Sequence, residues 1–115
     1  PDREDLRLMT TIRFDRRAGR ILGFSCQGHS GYAEAGEDIV CAAVTSAVRF
    51  AECTINDVLH AGAEVFVHEK TATITLRLPS HCENEQSCQA VLLGMETFLR
   101  ELSRENPHHL TVLEV

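Results

Sequence analysis

A histidine and a cysteine stand twelve positions apart in the stretch Gly28-His29-Ser30-Gly31-Tyr32-Ala33-Glu34-Ala35-Gly36-Glu37-Asp38-Ile39-Val40-Cys41. These are the residue types of thiol-based nucleophilic catalysis. The reactive form of a cysteine is the thiolate, and a neighbouring imidazole generates it by taking the proton, which leaves an ion pair. Cys41 is expected in the first turn of a helix. Unpaired N–H groups and the positive end of the helix dipole favour a thiolate there, and they offer donors to the oxyanion formed when a peptide carbonyl is attacked. Asp38 has two roles open to it: orienting the imidazole as the third member of a triad, or capping the helix three residues before Cys41. Gly28, Gly31 and Gly36 let the intervening loop open for a substrate and close over it. Tyr32, the one tyrosine of the chain, is placed to pack on a bound peptide. Each residue also has a structural role to be weighed: a small packing cysteine, an exposed loop histidine, a capping aspartate, a surface tyrosine.

The elements that position these residues are visible in the hydrophobic pattern. Leu6, Leu8, Thr10, Ile12 and Phe14 share one parity, which predicts a half-buried strand. Asp15–Gly19 reads as a turn, and Arg20–Gln27 as a second strand with Leu22, Phe24 and Cys26 on one face, the two forming a hairpin. After the Gly28–Gly36 break, Val40, Val44, Val48, Ala51, Ile55 and Leu59 recur at helical spacing. Glu37 and Asp38 put acid at the start of that helix, and Gly62 stops it. Ala63–His68 and Thr71–Leu78 predict a second hairpin about Glu69 and Lys70, with Ile74, Leu76 and Leu78 facing one way. Val91, Leu92, Met95, Phe98, Leu99 and Leu102 mark a second amphipathic helix over residues 84–105, closed by Asn106-Pro107. Leu110–Val115 is a last short strand. The order β-β-α-β-β-α-β predicts an α+β fold: an antiparallel or mixed sheet of about five strands with two helices packed on it.

The 115 residues fit one domain, with Pro1–Asp5 as a loose polar end. A net charge of −6, from 17 acidic and 11 basic residues, argues against a general nucleic-acid binder and favours a basic protein or peptide as partner. Five cysteines without a closely spaced framework read as reduced thiols in a cytosol. No apolar run approaches a membrane-spanning length and no secretory signal pattern opens the sequence, so a cytoplasmic protein is expected.

The ordered string Gly28-His29-Ser30-Gly31-Tyr32-Ala33 followed by Gly36-Glu37-Asp38-Ile39-Val40-Cys41-Ala42-Ala43-Val44 resembles the signature of the Prp family, the ribosomal-processing cysteine peptidases of bacteria. The element order is similar to that family over nearly the whole chain. The resemblance implies that His29 and Cys41 form a catalytic dyad and that Asp38 is the acidic residue supporting it. It implies that Ser30–Gly36 is the substrate loop. Thr45, one helical turn beyond Cys41, matches a position where the family usually carries a small hydroxyl residue. The implied activity is removal of a short N-terminal extension from a large-subunit ribosomal protein during ribosome assembly, by a homodimer, without a cofactor.

Two other readings compete. A non-catalytic α+β module binding a basic ribosomal protein accounts for the acidity and small size, but not for a histidine, a glycine loop and a helix-start cysteine in series. A metal site built from His81, Cys82 and Cys88, with His60 or His68, lacks the C-x-x-C or H-x-x-x-H steps usual in zinc sites. Cys53 and Cys88 are expected on helix faces, and His108 and His109 in the turn before the last strand.

Overall fold

The computed structural model describes residues 9–28 and 35–115, with only the backbone described for residues 35–38. The expectations for Pro1–Asp5, Leu6, Leu8, His29, Ser30, Gly31 and Tyr32 lie outside the described residues. Among the described residues the elements are β1 (Thr10–Arg17), β2 (Arg20–Gln27), α1 (Ala35–Cys53) with a π-helical continuation (Thr54–Val58), β3 (Glu64–His68), β4 (Thr73–Arg77), α2 (Glu85–Glu105) and β5 (Leu110–Glu114). The strands form one sheet in the order β3-β4-β2-β1-β5, in which only the β1–β5 pair is parallel. The α+β fold with a mixed five-stranded sheet and two helices is the one expected.

Three local differences have clear causes. Strand β1 runs through Arg17 rather than turning at Asp15, because Arg17 pairs with Arg20 across a two-residue turn. Ala18 and Gly19 both have positive φ, 53° and 81°, the geometry that matches the twist of a hairpin. The second difference is a β-bulge: Asp15 faces Gly23 while Arg16 faces Ile21, so Leu22 is the extra residue. The bulge reverses the parity of β2. Ile21 joins Phe24 in the core in place of Leu22, which is only half-buried. Thirdly, the stretch Ile39–Val58 is long and apolar enough to meet a membrane-span criterion by length and composition, contrary to the sequence expectation. Its inner side is the core stripe of α1, and Ala42, Ala43 and Ala47 raise its hydropathy.

The core is one layer between the sheet and the helices. From α1 it receives Val40, Val44, Val48 and Ala51, and from the π turn Ile55; α2 supplies Cys88, Leu92, Met95 and Leu99. They meet Ile12, Phe14, Phe24, Leu76 and Leu110 of the strands, and the Phe14 and Phe24 rings lie 6.1 Å apart. Each fully buried aliphatic side chain contributes about 1.5–3 kcal/mol. Phe98, expected on the inner face of α2, is 46% exposed.

Polar contacts fasten α2 to the sheet. The Gln89 side-chain amide accepts from the Ile21 N–H and donates to the Ile21 carbonyl, both at 2.8 Å. Glu96 is buried, and its carboxylate meets Arg16 at 2.7 Å and Arg100 at 2.9 Å. Arg16 also reaches Glu114 of β5 at 3.2 Å, so one arginine links β1, α2 and β5. Burial pushes the Glu96 pKa up, but hydrogen bonds from Arg16 and Arg100 outweigh it and hold the carboxyl below its ordinary value. A carboxyl lowered in the folded state adds stability above its unfolded pKa, about 4.3, which disappears as pH falls through the folded value. Glu96→Gln is expected to cost about 1.5–3 kcal/mol at neutral pH, the scale of hydrogen bonds to a charged group. Urea unfolding at pH 7 and in the acid range checks this: the gap between wild type and variant should narrow as the medium is acidified.

Candidate functional site

The site lies where the end of β2, the start of β1 and the first half of α1 meet. Cys26 pairs with Ile12 on one side and Ile74 on the other, and Ile12 is fully buried, so Cys26 lies on the helix-covered face of the sheet. Thr10, two residues before Ile12 on the same face, is 2% exposed. Val40, Val44 and Val48 pack α1 onto this face, and Cys41 follows Val40 directly. The Cys41 Sγ thus comes to 3.6 Å from the Thr10 Oγ1. Cys41 is half-exposed. Thr10, Cys26, Cys41 and Thr45, with Ala72 and Ile74, line a cavity of about 40 Å³.

Gly28 lies beside Met9 and Thr10. It has φ of 104°, and a Cβ there would collide with the Met9 carbonyl oxygen while lying 3.5 Å from the Thr10 Cα. A side chain is therefore excluded both by conformation and by space. The chain leaves β2 pressed against the residues that support the Cys41 sulfur.

Helix α1 begins at Ala35, two residues earlier than its acidic start suggested. Gly36 is therefore in the helix and not in the loop. Asp38 is its fourth residue rather than its cap, and Cys41 its seventh, in the second turn. The i→i−4 pattern of an α-helix directs the Cys41 N–H to the carbonyl of residue 37, so this amide is not available to an oxyanion. The N–H groups without helical partners belong to residues 35–38, the first turn, about 5–9 Å before Cys41 along the axis at 1.5 Å per residue. The helix dipole acts mainly within that first turn. Stabilisation of a Cys41 thiolate therefore falls to side chains, of which the Thr10 hydroxyl is one.

Of the expected site residues, the structure brings Cys41 and Thr45 together on one cavity and places Gly28 beside Thr10. Backbone alone is described for Gly36 and Asp38. Thr10 and Cys26 escaped the sequence reading. Both sit in strands where they count as ordinary alternating residues, and only the sheet register shows that they lie under Cys41. Burial pushes the Cys26 thiol up to about 11, and the neighbouring Cys41 adds to the effect. Elsewhere, Cys82 and Cys88 lie 3.7 Å apart, sulfur to sulfur. Among the described residues no three His, Cys, Asp or Glu side chains converge as a metal site would require.

The mixed sheet backed by two helices is shared with solved structures. A Staphylococcus aureus ribosomal processing protease Prp, solved in complex with a substrate peptide, superposes with a TM-score of 0.83 at 18% identity, covering 93% of this chain and 100% of that one. A Streptococcus mutans protein gives 0.85 at 21% identity, covering 93% and 94%. The ribosomal processing cysteine protease Prp of Bacillus subtilis (strain 168) is 31% identical over 109 residues, which is 91% of this chain and 95% of that protein. The family model for cysteine protease Prp matches residues 9–111. The chain belongs to the Prp family of cysteine proteases.

The thiol–hydroxyl contact has a measurable consequence. Thr10→Val keeps the shape of the side chain and removes the donor. The pH profile of Cys41 alkylation by iodoacetamide should then move upward by about one pH unit, the equivalent of one hydrogen bond to a charged group. Thr10→Ser should restore it. A profile unmoved by valine would show that the hydroxyl does not donate to the thiolate.

Proposed function

We propose that this chain is an endopeptidase in which Cys41 attacks and His29 serves as base, and that it removes a short N-terminal extension from a large-subunit ribosomal protein in the cytoplasm. The observation that carries this reading is the place of Cys41: half-exposed, on the cavity edge, next to Thr10. Gly28 packs on that same Thr10, and one peptide step, about 3.8 Å between Cα atoms, joins it to His29. Membership of a cysteine protease family favours this reading over a non-catalytic module.

In the proposed reaction His29 takes the Cys41 proton, and the thiolate attacks the scissile carbonyl carbon. The C=O electron pair moves to oxygen, and first-turn N–H groups of α1 receive that charge. Collapse of the tetrahedral intermediate breaks the C–N bond. His29 returns its proton to the leaving amine, which is the new N-terminus of the ribosomal protein. Water, deprotonated by His29, then hydrolyses the thioester and frees the extension. Asp38 supports the imidazole, and Ser30, Gly31, Tyr32 and Gly36 border the peptide. The acidic chain attracts a basic substrate.

The active form is proposed as a homodimer. An apolar groove of about 610 Å³ runs between α1 and α2, walled by Ala43, Ala47, Phe50, Val91, Gly94 and Phe98. Phe50 and Phe98 are 64% and 46% exposed on its rim, a patch suited to a second copy of the same surface.

Two experiments test these readings. Incubation with N-terminally extended large-subunit ribosomal proteins of the same organism, read by mass spectrometry, should give one shortened product. Cys41→Ala should abolish it, and His29→Ala should slow it by about 10²–10⁴-fold, the usual contribution of a general base. Product formed at the wild-type rate by Cys41→Ala would end the peptidase assignment. For the dimer, Ala47→Arg should halve the mass measured by sedimentation equilibrium while leaving the far-UV circular dichroism unchanged.

A further inference from the structure

The second thiol beside Cys41 is not needed for peptide hydrolysis, yet its position is specific. Cys26 lies on the covered face of β2, and Cys41 lies on the helix that covers it. Sheet geometry makes Cys26 and Thr10 diagonal neighbours, about 7–8 Å apart at Cα, and Thr10 touches the Cys41 sulfur. Both cysteines line the same cavity of about 40 Å³, with Thr10 beside them.

We propose that Cys26 is a resolving thiol that converts peroxide-oxidised Cys41 into a reversible Cys26–Cys41 disulfide. The proposal rests on Cys41 being the reactive nucleophile. A Cys41 thiolate attacks the terminal oxygen of a hydroperoxide. The O–O bond breaks, the other oxygen leaves with a proton as water or an alcohol, and Cys41 becomes a sulfenic acid. The Cys26 sulfur then attacks the sulfenic sulfur. The S–O bond breaks, and the hydroxyl departs as water with the Cys26 proton. The two thiols together lose two electrons and the peroxide gains them.

The two cysteines divide these roles by environment. Both line the cavity and both are half-buried, but desolvation raises the Cys26 thiol and keeps it protonated, so it is a poor target for peroxide itself. A disulfide removes the nucleophile from peptide chemistry while keeping Cys41 off the irreversible sulfinic branch. A dithiol reductant restores both thiols.

The sequence supplies its own assay. Trypsin releases Ile21–Arg49 as one fragment carrying Cys26 and Cys41 and no other cysteine, and Leu78–Arg100 as one fragment carrying Cys82 and Cys88. The full chain is treated with hydrogen peroxide, its remaining thiols are blocked with N-ethylmaleimide, and it is digested without reductant. Ile21–Arg49 should be lighter than its reduced form by two hydrogens and carry no maleimide. Dithiothreitol before blocking should return two maleimides. In Cys26→Ala the same fragment should instead gain two oxygens, and dithiothreitol should not remove them. A wild-type fragment that gains oxygens, or keeps both maleimides, overturns the resolving role. The Leu78–Arg100 fragment reports the other thiol pair separately. Iodoacetamide labelling before oxidation separates this failure from that of the nucleophile. Cys41 labelled no faster than the exposed Cys53 refutes the nucleophile and the switch together; preferential labelling without a disulfide refutes the switch alone.

Discussion

The position of the Cys41 sulfur is set by the burial of three valines. Val40, Val44 and Val48 are each 1–2% exposed and lock one rotation and one height of α1 against the sheet. At about 1.5–3 kcal/mol apiece, their burial exceeds any single polar contact in the site. Cys41, the next residue after Val40, turns from the valine stripe by about 100° and reaches the rim of the sheet above Thr10. Packing decides where the sulfur sits, and the weaker thiol–hydroxyl contact adjusts how readily it ionises. The same division holds at the other end of the sheet, where the bidentate Gln89–Ile21 contact fixes the register of a helix that Leu92 and Leu99 already hold.

Patterns of apolar residues made most of the architecture legible. Both helices, both hairpins and the element order follow from periodicity, because each element buries a single face. What periodicity misses is any feature that changes phase within an element. The extra residue at Leu22 exchanges Leu22 for Ile21 in the core, and nothing in the alternation of Arg20–Gln27 announces it. Parallel pairing of β5 with β1 is also silent in the sequence, since Leu110 and Val112 present the same alternation in either direction. The start of α1 was misplaced for a different reason. Glu37 and Asp38 are favourable anywhere in a first turn, so acidic residues mark a neighbourhood and not a boundary.

The candidate site was legible as far as it is local. Cys41 and Thr45 are one turn apart on a helix, and a sequence shows that directly. Thr10 and Cys26 belong to the site only through the pairing of β1, β2 and β4 and the docking of α1 upon them. Their types are unremarkable in a strand, and their significance lies in separations of 31 and 15 positions from Cys41. Family resemblance reached the local part for the same reason: an ordered string of residues is a local object.

Placing Cys41 in the second turn of α1 changes how a thiolate is supported there. A cysteine at the helix start would gain free N–H groups and the full end of the dipole, whereas here those donors lie about a turn away. The Thr10 hydroxyl is one group that bears on the ionisation of Cys41, and desolvated Cys26 offers the thiolate no compensating charge. Gly28, at a φ of 104°, closes the end of β2 tightly against Met9 and Thr10. Any substitution at Gly28 therefore acts on the sulfur without touching it: the new Cβ meets the Met9 carbonyl, and the strand end must lift away from Thr10 to make room.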